Sequence, residues 1–449
     1  MKSRLDWSAY RDAGMGDAYA DIPKIGGDFA KAVAFCINSK LCQSEQHKGV
    51  MCPSYRATGN PHLSPGGRVK LLKSVLNSEQ VRWDHPDLAS AMESCVSCKG
   101  CRRECEAELD MALIKVEYQA QRILREGLSL RARLFGHLPL LLHRWPWLGR
   151  LITLRNRTPW LARLAEFWLG IDARARLPEP VARPDASNRA EQAGFDPEAS
   201  RDVVLLIDSF SRYYQPDIVG AATAVLEAAG CRVLRADPLP EAAEPDRPLC
   251  CGRTYLSQGM VAEAHREARR TLQALLPHVA AGRTIIGLEP ACLLALRDEW
   301  KALDLGEGVA ALAAQTVLLE EFLAREQLPR PLAFKPPAVP LLVHGHCHQK
   351  AAGAMKSLRK VLKLVPGLQF EFIEASCCGM AGSFGFEAEH AQMARTMAEQ
   401  ALLPRLRQHP EAMVLSNGYS CRSQIQAGAD RQSVHLAQWL RDHLADPCG

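Results

Sequence analysis

The chain has 449 residues, 47% of them hydrophobic and 23% charged, with a net charge of +5. That is enough for about three domains at roughly 150 residues each, with ordinary globular composition. No run of about 18 apolar residues occurs, and MKSRLDWSAYRDAGMGDAY lacks the apolar core of a secretory signal, so the chain reads as cytoplasmic, without span or leader. Sixteen cysteines are many for a compartment that keeps thiols reduced, and such cysteines in patterns point to metal or redox chemistry instead of disulfides.

Residues 1–30 read as a polar N-terminal extension, and 31–125 as a cysteine-rich block of short helices ending in EAELDMALIKVEYQAQRIL, which has apolar residues at helical spacing. Within it, Cys95-x2-Cys98-x2-Cys101-x3-Cys105 is the spacing in which three thiolates on one loop grip a cubane and the fourth reaches a second cluster. Structural zinc more often takes two separated pairs, so the triple favours iron–sulfur. Upstream, Cys36-x2-Ser39-x2-Cys42 follows the same template with Ser39 in place of its second cysteine, and Cys52-Pro53 follows after nine intervening residues. By the exchange rule, Cys52 completes the set of Cys95, Cys98 and Cys101 around a [4Fe–4S] cluster. Cys36, Cys42 and Cys105 are left for a second centre. It is either [3Fe–4S], or [4Fe–4S] with Ser39, His47 or water at the odd iron, or else vestigial.

Residues 126–177 form a basic helical segment interrupted by Pro139, Pro146 and Pro159. From Leu113 to Arg176 there are twelve Lys and Arg against four Asp and Glu, and four of the eight tryptophans (Trp145, Trp147, Trp160, Trp168) fall here. One reading is a layer packed on the ferredoxin-type block. The other is a docking face for an anionic membrane or an acidic partner, testable by reversing Arg150, Arg155 and Arg157. Residues 178–200 are a Pro-rich linker.

Residues 201–325 and 338–445 read as an internal repeat. Each half has an apolar run, a helix-like stretch, a strand-like run, Cys-Cys-Gly, a longer helix, another apolar run and a further cysteine. The pairs begin at Cys250 and Cys377 and the later cysteines are Cys292 and Cys421, offsets of 127 and 129. Short apolar runs alternating with helices imply α/β units with largely parallel strands. In the second copy Cys347, Cys377, Cys378 and Cys421 each follow a strand and precede a helix, which gathers them at one sheet edge as metal ligands. His344, His346 and His348 flank Cys347 as candidate ligands or proton donors. The first copy keeps Cys250, Cys251 and Cys292, but the place of Cys347 falls near Phe210 or Ser211. Cys231 and Cys448 read as structural.

The motifs MCPSYRATG, SCVSCKGC, LCCGRTYLSQGM, GLEPAC, HGHCHQKA, CCGMAGSFGFEAEH and NGYSCR span residues 36 to 425. On these the chain resembles the iron–sulfur half of the flavin-linked 2-hydroxyacid dehydrogenases, which include D-2-hydroxyglutarate, D-lactate and glycolate dehydrogenases. Its paired Cys-Cys-Gly domains are similar to the cysteine-rich subunit of heterodisulfide reductase, although Cys421 precedes Arg-Ser-Gln where that pattern ends in C-x2-C. The resemblance implies a mixed fold, an α-helical ferredoxin domain followed by two repeated α/β cysteine-rich (CCG) domains. It also implies electron transfer from a flavin to a quinone or other acceptor, with an additional cluster in the second CCG domain.

No G-x-G-x-x-G follows a strand and no P-loop is present, so neither FAD nor NAD is expected on this chain. A hydride from a hydroxyacid needs such a cofactor, so an FAD-linked dehydrogenase subunit is the expected partner. A peripheral contact with the inner face of the membrane is a further expectation, and no nucleic-acid partner is expected. Two other readings stand beside electron transfer. One is a thiol–disulfide reductase acting at Cys377-Cys378, the other a zinc scaffold.

Overall fold

The computed structural model describes residues 1–12, 21–44, 49–181, 201–325 and 327–445. His47, Cys448 and most of the Pro-rich linker lie outside them.

The first part is helical, and its local chemistry shows why. Proline opens Pro53–Thr58, Pro65–Leu76 and Pro86–Glu93, where its missing N–H is no loss. Ser64 caps the second of these through Gly67 N, and Asp110 caps the long helix Met111–Glu126 through Leu113 N. Phe29, Leu72, Trp83, Leu88 and Tyr118 form the buried centre. The start of the chain is docked on it. Leu5 and Trp7 are buried, and the Glu117 carboxylate accepts from Arg4 N, Leu5 N and Trp7 Nε1.

Four helices follow, Leu130–Gly136, Leu138–Arg144, Leu148–Arg157 and Pro159–Leu169. The segment breaks at each of its prolines: Pro139 and Pro159 sit in the first turns of new helices, where proline is tolerated, and Pro146 lies between two helices.

Beyond residue 200 lie two small parallel sheets. Strands β1 (Arg201–Leu206), β2 (Cys231–Arg235), β3 (Thr284–Gly287) and β4 (Thr316–Leu318) are ordered β2-β1-β3-β4. Strands β5 (Leu341–Val343), β6 (Phe370–Phe372) and β7 (Met413–Leu415) are ordered β6-β5-β7, and a parallel bridge from Leu415 to Val434 extends the sheet on the side where β4 extends the first. Helices cover both faces, which is why the central strands read as unbroken apolar runs. The two units share a core in which Ile218, Val225, Phe322, Leu341, Leu436 and Trp439 are buried together. Cys231 is buried in that core, apart from the other thiols.

Candidate metal centres

The loops Cys36–Cys42 and Cys95–Cys101 have matching backbones. Asn38 and Lys40 take φ of 56° and 61°, and Ser97 and Lys99, at the same places in the template, take 48° and 61°. Two left-handed non-glycine residues at fixed spacing are uncommon. The fold therefore puts Ser39 where its twin loop has Cys98.

Each loop lines its own hollow. Cys52, Cys95, Cys98 and Cys101 line one, with Pro65, Arg68 and Met111. Cys36, Ser39, Cys42 and Cys105 line the other, with Pro65, Gly66 and Leu109. The fourth cysteine of each motif thus faces the other motif's hollow, the crossed arrangement that the spacing implies. Glu104 holds Cys52 in place, its carboxylate accepting from Val50 N and Met51 N at 2.8 Å each. Both hollows abut the first turn of the helix Pro65–Leu76, whose free N–H groups favour negative charge. Cys52, Cys95, Cys98 and Cys101 are buried, whereas Cys36, Cys42 and Cys105 are half-buried.

The first hollow suits an anionic cluster. Arg68 is fully buried, Nη1 lies 3.7 Å from Cys52 Sγ, and Nη2 has no hydrogen-bond partner. A buried cation without a carboxylate is costly unless anions face it, and four thiolates on iron would supply them. Backbone N–H groups of Gly100 and Met111 reach the Cys98 and Cys101 thiols, while burial pushes both thiols up. Iron must therefore displace protons there. In the second hollow, a Cβ on Gly66 would stand 3.6 Å from Cys42 Sγ and 3.9 Å from Cys36 Sγ, so glycine leaves space beside both.

Lys99 fastens the first loop to the first α/β unit. Its buried ammonium lies 2.6 Å from Asp298 and 3.4 Å from Asp110, and burial pulls its pKa down to about 8.

In the second α/β unit the thiols lie beyond strand ends. Cys347 opens Cys347–Ala351 after β5, Cys377 and Cys378 follow β6, and Cys421 lies in the first turn of Tyr419–Ala429 after β7. Cys377 is within hydrogen-bond reach of Cys347 and Cys378, and Cys378 of Cys421. Gly379 N donates to Cys377 Sγ at 3.4 Å, and Gly379 has φ of 87° with a Cβ position 2.2 Å from Ala394 O, so only glycine fits. His344 Nδ1 or Nε2, Cys378 Sγ and Cys421 Sγ lie within 4.8 Å of one another. His346 and His348 are engaged differently. His346 Nδ1 caps the helix by accepting from His348 N at 3.1 Å, and His348 Nε2 lies 3.0 Å from Ser97 O and 3.3 Å from Arg253.

In the first unit Cys251 is within hydrogen-bond reach of both Cys250 and Cys292, and Arg253 N donates to Cys251 Sγ. Phe210 lies four residues beyond β1, as Cys347 lies four beyond β5, and stacks on Tyr419 with ring centroids 5.0 Å apart. This unit therefore lacks the fourth thiol.

Arg68 escaped the sequence reading. Its signal was present, since positions 68, 72, 75 and 76 share one face of a helix and the other three are apolar.

Residues 32–109 match the 4Fe-4S dicluster domain family and residues 341–426 the Cysteine-rich domain family. The D-2-hydroxyglutarate dehydrogenase of Pseudomonas putida is 24% identical across 92% of this chain, which spans only 43% of that protein. The glycolate oxidase iron-sulfur subunit of Escherichia coli is 24% identical over 90% of this chain and 92% of its own length. One subunit of the anaerobic glycerol-3-phosphate dehydrogenase of Escherichia coli is 25% identical over 44% of this chain and 50% of its own. The chain thus spans less than half the length of its D-2-hydroxyglutarate dehydrogenase relatives. With the helical [4Fe–4S] domain and the cysteine-rich domain, which suggests a further metal centre, these relatives bear out the resemblance: the chain is similar to the iron–sulfur part of the flavin-linked hydroxyacid dehydrogenases.

Proposed function

We propose that the chain carries electrons from an FAD-linked 2-hydroxyacid dehydrogenase partner to a quinone at the membrane surface. Iron–sulfur clusters supply one-electron carriers, and the chain's residues space them, bury them and set their charge. The observation that carries this reading is the continuity of the thiol sites. The half-buried set of Cys36, Cys42 and Cys105 shares Pro65 with the buried set of Cys52, Cys95, Cys98 and Cys101. Cys98 in turn packs in one buried cluster with Cys377, Cys378 and Cys421. On this reading electrons enter at the more exposed set and leave near Cys347. The similar strand orders of the two sheets support reading residues 201–325 and 338–445 as two copies of one cysteine-rich domain, the first with three of the four motif thiols.

A cleft of about 430 Å³ opens beside Cys95 and Cys347 and is also lined by His346, Glu387, His390 and Tyr419. That is the size of a small-molecule site, and it offers protonatable groups beside the last carrier, as reduction of a quinone requires. No helix among the described residues is long and apolar enough to cross a membrane, so contact with the quinone pool would be peripheral, on the inner face. The dehydrogenase and iron–sulfur subunit names of the relatives favour this reading over a disulfide reductase.

Anaerobic purification should give a brown protein whose clusters are reduced by the flavoprotein and hydroxyacid together. Cys98→Ala should remove about four irons per chain. A colourless preparation with stoichiometric zinc would overturn the reading in favour of a scaffold.

A further inference from the structure

His344 occupies an unusual position for a buried imidazole. It is 1% exposed, and neither Nδ1 nor Nε2 has a hydrogen-bond partner. Leaving one ring nitrogen unpaired in the interior is already costly, and here both are unpaired. The next two histidines of the same loop, His346 and His348, both make hydrogen bonds. What lies beside His344 is a pair of buried thiols, Cys378 and Cys421, with one ring nitrogen and both sulfurs mutually within 4.8 Å.

That spacing has a meaning in coordination geometry. Ligand atoms on one tetrahedral metal stand about 2.0–2.3 Å from it, hence roughly 3.3–3.8 Å from each other, whereas cysteines on different corners of a cubane stand farther apart. Among the described residues, no three cysteines of the helical domain lie within 4.8 Å of one another, whereas the donor atoms of His344, Cys378 and Cys421 do. Three strand ends converge to make it. His344 is the first residue beyond β5, Cys378 follows β6 and Cys421 follows β7.

The first α/β unit serves as an internal control. The residue directly after β1 is Ile207, buried in the apolar core, and the place of Cys347 is taken by Phe210. The histidine and the fourth thiol are thus missing together from one unit and present together in the other.

We propose that His344, Cys378 and Cys421 bind one and the same metal ion, so that the centre of the second cysteine-rich domain has a mixed imidazole–thiolate ligand set. This rests on the reading of that domain as metal-bearing and adds a ligand that the cysteine motif does not contain. Cys377, in reach of Cys378, is placed to add a further thiolate. The shared chemistry is that of a borderline metal with nitrogen and sulfur donors, and it is open to an iron of a cluster or to a single zinc ion.

Iron and zinc would be counted in the full-length protein purified without oxygen. X-ray absorption at the edge of each metal found would follow, with pulsed EPR of the reduced protein labelled with 15N-histidine. An iron ligand should give a histidine nitrogen coupling, and a zinc ligand a nitrogen shell at about 2.0 Å beside sulfur at about 2.3 Å. His344→Cys should keep the metal and lose the nitrogen signal, and His344→Leu should lose or weaken this metal while the irons of residues 32–109 remain. Metal in this domain with only sulfur ligands, or a nitrogen signal that survives both substitutions, overturns the role of His344. Absence of any metal beyond that of the helical domain overturns the metal-bearing reading itself.

Discussion

Arg68 and Ser39 show how much of the redox behaviour rests on single side chains. Arg68 puts a buried positive charge against the Cys52 thiol, and a nearby cation favours the more negative, reduced cluster. Arg68→Met should therefore lower the midpoint potential of that cluster, by on the order of 60 mV, the equivalent of a tenfold change for one electron. An EPR-monitored redox titration would show it. Ser39 lies in a loop whose backbone matches that around Cys98, and it lines the hollow of Cys36, Cys42 and Cys105. Ser39→Cys should add about one iron per chain to a three-iron centre and lower its potential. Unchanged iron content with an unchanged EPR spectrum would mean that no cluster meets this side chain.

At the scale of elements, the two helices Leu148–Arg157 and Pro159–Leu169 stand out. Trp160, Phe167 and Trp168 are 64%, 79% and 71% exposed, and Trp147, Leu151, Leu154 and Leu164 are exposed beside them. So much unpartnered aromatic and leucine surface marks a contact site. Arg150, Arg157 and Arg163 are exposed on the two helices, whose own sequence has Glu166 as its one acidic residue, the composition of a helix pair lying in an anionic lipid interface. Arg155 differs from its neighbours. It is buried and donates to the carbonyls of Asp172 and Ala175, so it holds the segment together and is the wrong residue for charge reversal. Vesicles containing anionic lipid should sediment the protein at low salt and release it as salt shortens electrostatic reach. Reversing Arg150, Arg157 and Arg163 to Glu should weaken binding at least a hundredfold, at about 1 kcal/mol for each charge removed, with iron content unchanged. Failure of the wild-type protein to bind at low salt would leave the apolar face for the dehydrogenase partner.

At the scale of the molecule, the two α/β units are joined through a buried carboxyl. Glu320, from the first unit, accepts from Gln349 and Asn417 of the second. Burial lifts its pKa from 4.5 to about 7, with Glu321 adding to the rise. The folded state then holds this proton more tightly than the unfolded state. Its contribution is fully present below about pH 4.5 and is lost as pH rises through 7, a swing of up to about 3 kcal/mol. His435, held down to about 3 by burial, opposes it by losing stability as pH falls below 6.5. The comparison must therefore be between variants. Wild-type Tm should fall between pH 5 and pH 8 relative to Glu320→Gln, whose side chain has a similar shape and does not titrate. Equal shifts in both proteins would place the Glu320 proton elsewhere.

The amino-acid sequence by itself determined the elements and the candidate thiol ligands. Alternating apolar runs and helices led to parallel sheets, because a strand covered on both faces must be apolar throughout. The template Cys36-x2-Ser39-x2-Cys42 was legible as a twin of Cys95–Cys101, because thiol spacing along one loop is a local property. Leu5 and Trp7 were not legible as core, because whether an apolar residue in a polar stretch is buried depends on a distant surface, here that around Glu117. The same holds for Arg68, whose lack of a carboxylate partner emerges only when two loops close over it. His344 stood in the sequence as one of three histidines around Cys347. Tertiary structure alone separated it from His346 and His348, because three strand ends from different stretches of chain had to meet before one imidazole faced thiols and the other two met backbone.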